Sequence, residues 1–201
     1  MNRWLITVTQ AAKCLMGRVK GSFLEVDGTR IHYTVEGNGE PIVLVHGYGV
    51  NADFNWRVPG VTDALAKTHK VIAIDVRGHG LSGKPRDPEK YGVEMVKDVV
   101  RLLDHLGIDK AHVAGYSMGG FITLKLVTMF PERLLTAIPC AAGWDRPTPE
   151  NASLLDGVAE ALDAGQGFTP LLEKIEGLGR KPNHVMIFIT DRLMRLINDV
   201  P

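Results

Sequence analysis

Lys110-Ala-His-Val-Ala-Gly-Tyr-Ser-Met-Gly-Gly-Phe-Ile-Thr-Leu-Lys-Leu-Val-Thr-Met-Phe130 is the stretch that decides the fold. Residues 110–115 make a short strand-like apolar run. Residues 118–130 read as a helix that stops before Pro131, since a proline disfavours helical backbone in the residue ahead of it. Between them Gly115-Tyr-Ser-Met-Gly119 matches G-x-S-x-G at a strand-to-helix junction. A serine at the tip of such a turn is held in strained backbone with its hydroxyl above the sheet edge. Gly115 and Gly119 lack a Cβ, so strand and helix can approach closely. The helix N-terminus directs N–H groups towards the site, where they favour negative charge. A glycine-rich turn that merely contains a serine is the plainer alternative; the strand before and the helix after select Ser117 as a candidate nucleophile.

Working outward, strands and helices alternate. Upstream, residues 91–106 carry Val93, Val96, Val99, Val100, Leu103 and Leu106 at spacings of three and four, the stripe of an amphipathic helix stopped by Gly107. Residues 71–75 form a buried strand that enters Arg77-Gly-His-Gly80. Residues 54–67 read as a helix interrupted at Pro59-Gly60. Residues 41–45 are a continuous β-branched run, suited to a strand covered on both faces, and His46-Gly-Tyr-Gly49 ends it. Residues 23–35 alternate around Asp27-Gly28 as a hairpin. Downstream, residues 134–142 read as a further strand. This order implies an α/β fold with a mainly parallel sheet and helices on both faces. After Gly143 a polar, proline-rich stretch leads into helical segments at 154–164, 169–175 and 184–197, read as a helical insertion or cap. The expected organisation is an N-terminal extension at 1–22, an α/β core at 23–143 and a partial cap at 144–201.

His46-Gly47-Tyr48-Gly49 supplies a second catalytic element. Its glycines leave backbone N–H groups to aim at a developing oxyanion, and the N–H groups of Tyr48 and Met118 are the natural pair. His46, Gly47, Gly49, Gly115 and Gly119 are expected to support the loops, with His46 a brace rather than a proton carrier. Asp75 and Arg77 are suited to bracing loops through charge-assisted hydrogen bonds.

Composition excludes several classes. Lys plus Arg and Asp plus Glu are 23 each, and 45% of residues are hydrophobic, so no basic surplus suggests a nucleic-acid partner. Cys14 and Cys140 are in no metal-binding spacing, and two ordinary thiols fit a reducing, cytoplasmic setting. In residues 1–21, Gln10 and Lys13 interrupt a mildly apolar run, which favours an amphipathic extension; a signal or membrane-surface helix is the alternative. No apolar run reaches the roughly 18 residues needed to span a bilayer.

Three motifs in order, His46-Gly-Tyr-Gly49, Asp75-Val-Arg-Gly-His-Gly-Leu-Ser82 and Gly115-Tyr-Ser-Met-Gly-Gly120, resemble the α/β-hydrolase superfamily, especially single-domain hydrolases with a helical cap. The resemblance runs over residues 23–143. It implies an acyl-enzyme mechanism on a small-molecule acyl substrate, with no metal and no organic cofactor. It also implies that the loop at 75–82 packs near the elbow. Family members that form an ester on an aspartate, such as haloalkane dehalogenases and many epoxide hydrolases, are disfavoured by Ser117. Esterase, lactonase, C–C bond hydrolase and haloperoxidase-like chemistries stay open.

The superfamily's triad order is Ser, then Asp or Glu, then His. Of seven histidines only His184 follows Ser117, which leaves His79 as a base only by replacing that late residue. His184-Val-Met-Ile-Phe-Ile-Thr-Asp191 can be a strand ending in the acid Asp191. It can also be a helix, since Met186, Ile189, Leu193, Leu196 and Ile197 form a stripe. Asp145, just beyond the 134–142 strand, is another candidate acid. The expectation is an N-terminal part of a longer hydrolase, impaired in these 201 residues by a missing acid and histidine. The apolar strand at 134–142 would then be an exposed edge open to self-association. A non-catalytic protein that holds a small ligand in the same pocket is the competing class.

Overall fold

The computed structural model describes residues 21–143, so the N-terminal extension up to residue 20, Cys14 and the segments read as a cap lie outside the described residues. Strand β1 (Ser22–Val26) pairs antiparallel with β2 (Thr29–Glu36). The turn between them places Asp27 at φ 46° and Gly28 at φ 78°, the paired positive values of a tight hairpin. β3 (Glu40–Val45), β4 (His69–Ile74), β5 (Ala111–Tyr116) and β6 (Leu134–Cys140) are mutually parallel, and β2 joins them antiparallel to β4. The six strands lie in the order β1-β2-β4-β3-β5-β6. This is the mainly parallel sheet that the alternating sequence implies.

Alternation along the strands divides the core in two. Val43, Val45, Ile72, Ile74, Ala111 and Val113 face helices α2 (Val93–His105) and α3 (Met118–Met129), packing with Val99, Leu102, Leu103, Ile122 and Leu126. Ile42, Leu44, Val71, Ala73 and Ala114 face the other way, towards Ala52, Trp56 and helix α1 (Val61–Leu65). Helices therefore cover both faces, which is why β3 and β4 read as unbroken apolar runs rather than alternating ones. Each valine, leucine or isoleucine side chain among them taken fully out of water contributes about 1.5–3 kcal/mol.

Residues 54–67 break at Pro59-Gly60, as the sequence implies, and the part before the break is π-helical. A π-helical turn, Asp53–Arg57, closes with Val58 N–H donating to Asp53 O at 2.9 Å. Pro59 has no N–H to continue the ladder, Gly60 takes φ 85°, and α1 restarts beyond it. Helix α2 begins at Val93 because Gly92 has φ 59°. β6 stops at Cys140, just before Ala141 at φ 51°.

Candidate active site

At the end of β5 the chain reverses into α3 in a single residue. Ser117 occupies φ 51°, ψ −112°, and Met118 is already helical. Such backbone costs a non-glycine residue about 1–3 kcal/mol, so surrounding structure must impose it. Ser117 N–H donates to Cys140 O at 2.9 Å, and its own carbonyl accepts from Phe121 N–H at 3.0 Å. The two flanking glycines are sterically required. A Cβ on Gly115 would stand 2.0 Å from Gly119 O, and one on Gly119 would stand 2.2 Å from Val45 O. Strand, elbow and the end of β3 thus meet at backbone distance. Met118 is the first residue of α3, so its N–H has no acceptor within its own helix.

The loop leaving β3 lies against the same elbow. A Cβ on Gly47 would meet the Tyr116 ring at 3.2 Å. Gly47 N–H donates to Asn55 Oδ1 at 2.9 Å, which ties the start of the loop to the π-helical turn. Gly49 holds φ 73°. Tyr48 is exposed, with its ring edge-on to His79 at 5.3 Å between centroids. His46 is completely buried. Its Nδ1 lies 2.7 Å from Gly47 O, which only accepts, so Nδ1 carries the proton. Its Nε2 accepts from Val76 N–H at 3.0 Å. Both nitrogens are committed with the ring neutral, and burial above all pushes its pKa down to about 4.

Beneath the loops runs a buried charged scaffold. Asp75, just past β4, accepts Ala52 N–H at Oδ1 (2.9 Å), and Leu81 N–H (3.0 Å) and the His32 Nδ1 proton (2.9 Å) at Oδ2. Burial alone would raise the Asp75 pKa. The His32 hydrogen bond, the nearby His46 and the Ala52 N–H outweigh that and hold it below the ordinary aspartate value. Ser82 Oγ donates to Asp75 O at 2.6 Å and accepts His32 N–H at 2.8 Å. Arg77 grips Asp98 of α2 through two contacts of 2.6 Å and also donates to Lys90 O at 2.5 Å. His79 is buried, with Nδ1 3.2 Å from Arg77 O, and its pKa is pushed down by burial.

The structure therefore brings Ser117, Met118, Gly115 and Gly119 to one junction and lays His46, Gly47, Tyr48 and Gly49 beside it. Asp145, Asp191 and His184 lie outside the described residues. His32, Asn55 and Asp98 went unnoticed in the sequence. None of the three left a local signal: Asp98 lies outside the stripe of Val93, Val96, Val99, Val100, Leu103 and Leu106. Among the described residues no group of three or more His, Cys, Asp or Glu is arranged to hold a metal ion. None of their helices is long and apolar enough to cross a membrane.

Comparison with known proteins agrees with this architecture. A family model described as alpha/beta hydrolase fold matches residues 40–176. The 2-hydroxymuconate semialdehyde hydrolase of Pseudomonas sp. (strain CF600) is 34% identical over 175 residues, covering 86% of this chain and 55% of its own length. The solved structure of a hydrolase from Pseudomonas aeruginosa PA01 superposes with a TM-score of 0.66 at 25% identity, over 89% of this chain and 66% of the other. An N-acyl homoserine lactone degrading enzyme, Est816, is similar at 38% identity and a TM-score of 0.52, covering 57% of this chain and 42% of its own. The chain spans between a fifth and just over half of the length of the curated relatives it matches.

Proposed function

The chain belongs to the alpha/beta hydrolase family, and from that premise we propose that it is a serine hydrolase working through a Ser117 acyl-enzyme on a carboxylic ester or a related acyl or C–C substrate. The observation that carries this is the backbone of Ser117. A serine kept at φ 51° between a strand and a helix N-terminus is strained for no packing benefit, because its side chain fills no core. The strain makes sense if the hydroxyl must stand clear of the sheet to meet a carbonyl.

In the proposed reaction the Ser117 hydroxyl attacks the substrate carbonyl, and its proton passes to a histidine base. The oxyanion accepts hydrogen bonds from the Tyr48 and Met118 N–H groups, in the quarter where loop and elbow touch. Loss of the leaving group gives the acyl-enzyme, and water releases the acid. His46 and His79 are poor candidates for the base. Both are buried, and both ring nitrogens of His46 are already engaged. We assign the base to a histidine outside the described residues. The relatives named above act on different bonds, so the substrate is given only as a class.

An active-site fluorophosphonate and a nitrophenyl ester test the proposal on the intact chain. We expect labelling at Ser117, lost in Ser117→Ala, with slow ester turnover that follows the labelled serine. Ligand binding with no labelling, or turnover untouched by Ser117→Ala, would overturn the serine mechanism in favour of a binding protein or a different nucleophile.

A further inference from the structure

We propose that His32, which lies on β2 outside every sequence motif, is a positioning residue for the oxyanion loop and acts through the Asp75 carboxylate. The proposal rests on the Ser117 mechanism above. Asp75 is 43 residues away in sequence, yet His32 Nδ1 reaches its Oδ2 at 2.9 Å in a buried pair. That oxygen also accepts Leu81 N–H, and the other accepts Ala52 N–H. Ala52 lies just beyond the His46–Gly49 turn, and Leu81 lies in the loop that carries His79. One carboxylate therefore anchors both loops that border the Tyr48 backbone. The next peptide extends the same connection. Val76 N–H donates to His46 Nε2, and His46 Nδ1 donates to the carbonyl of Gly47, directly before Tyr48.

A buried carboxylate keeps its charge and orientation only while its donors are in place. Two of the three donors to the Asp75 carboxylate are backbone groups of the loops themselves. His32 is the third, and it comes from a strand inside the sheet, covered by the Phe23 ring at 5.2 Å. The β2 backbone fixes the same site from a second direction, since His32 O accepts Asp75 N–H at 2.9 Å. His32 thus transmits the rigidity of the sheet to a loop that must hold an N–H within a few tenths of an ångström of a developing charge.

The decisive comparison is His32→Leu, which preserves bulk and removes the donor, against His32→Asn, whose amide nitrogen can stand where Nδ1 stood. We expect Ser117 phosphonylation by a fluorophosphonate to slow about 10- to 100-fold in His32→Leu, the scale of a misplaced catalytic group, and to return to within about threefold of the parent in His32→Asn. Equal rates in the parent and His32→Leu, or equal loss in both variants, would overturn the proposal. Hydrogen exchange separates its failure from failure of the serine mechanism. If no form of the protein labels, the mechanism fails, and the proposal stands or falls on the Ala52 and Leu81 amides. Those amides should lose protection in His32→Leu while amides of β3 and β4 keep theirs; unchanged protection would sink it. Should His32→Leu not fold, nitrogen NMR of the parent decides: a His32 ring protonated on Nε2 with a bare Nδ1 is incompatible with the proposed donor.

Discussion

At the scale of single residues, His46 carries the clearest measurable consequence. Its pKa is about 4 in the fold against 6.5 for an unperturbed histidine. Between those values the unfolded chain binds a proton that the folded chain refuses. Stability therefore falls as pH drops from about 6.5 towards 4, by ~3 kcal/mol from this ring alone, and the loss levels off once the folded ring also protonates. His79, also lowered by burial, adds to the same trend. Urea unfolding at pH 7 and pH 4.5 should show this loss in the parent and a smaller one in His46→Gln, which starts less stable at pH 7. An identical pH dependence in the two proteins would mean that His46 is not held neutral. The structural character of His46 was legible from its place in a glycine-rich loop. Its acceptor role was not, because the donor, Val76 N–H, sits 30 residues along the chain.

At the scale of elements, the Arg77–Asp98 pair joins the loop after β4 to helix α2, with side chains 2% and 1% exposed. A buried ion pair of this kind is costly to break by halves, since the surviving charge keeps its desolvation penalty. Arg77→Met leaves Asp98 with only Arg101 at 3.3 Å and should destabilise the protein by about 3–5 kcal/mol. The double change Arg77→Met with Asp98→Leu should recover much of that loss, and a double-mutant cycle in denaturant measures the difference. If the two single effects simply add, the pair is not a coupled unit. Helix α2 was visible in the sequence through its valine and leucine stripe. The burial of Asp98 was not, because a helical aspartate is ordinarily solvated and its arginine lies 21 residues away on another element. The interruption at Pro59-Gly60 was legible for a local reason, a missing N–H beside a glycine at positive φ, whereas the π-helical form of the turn before it was not.

At the scale of the whole molecule, β6 pairs with β5 alone among the described residues, and Leu135 and Ile138 remain 41% and 45% exposed. A parallel edge strand with apolar side chains invites further strand pairing. The 201-residue protein should therefore elute progressively earlier in size-exclusion as its concentration rises, and Leu135→Lys with Ile138→Lys should suppress the shift. A concentration-independent monomer in the parent would refute this. The sequence by itself determined the class of the sheet, the hairpin at Asp27-Gly28, the elbow at Ser117 and the neighbouring glycine-rich loop. All of these follow from steric and periodic requirements that act over a few residues, such as a Cβ that cannot fit at Gly119 or a strand apolar on both faces. Only the tertiary structure decided which polar groups meet: His32 with Asp75, Val76 with His46, Arg77 with Asp98. Those meetings depend on the order in which strands lie side by side, and the desolvated interior then favours each pairing, because a buried charge or N–H left alone loses its hydration with nothing in return.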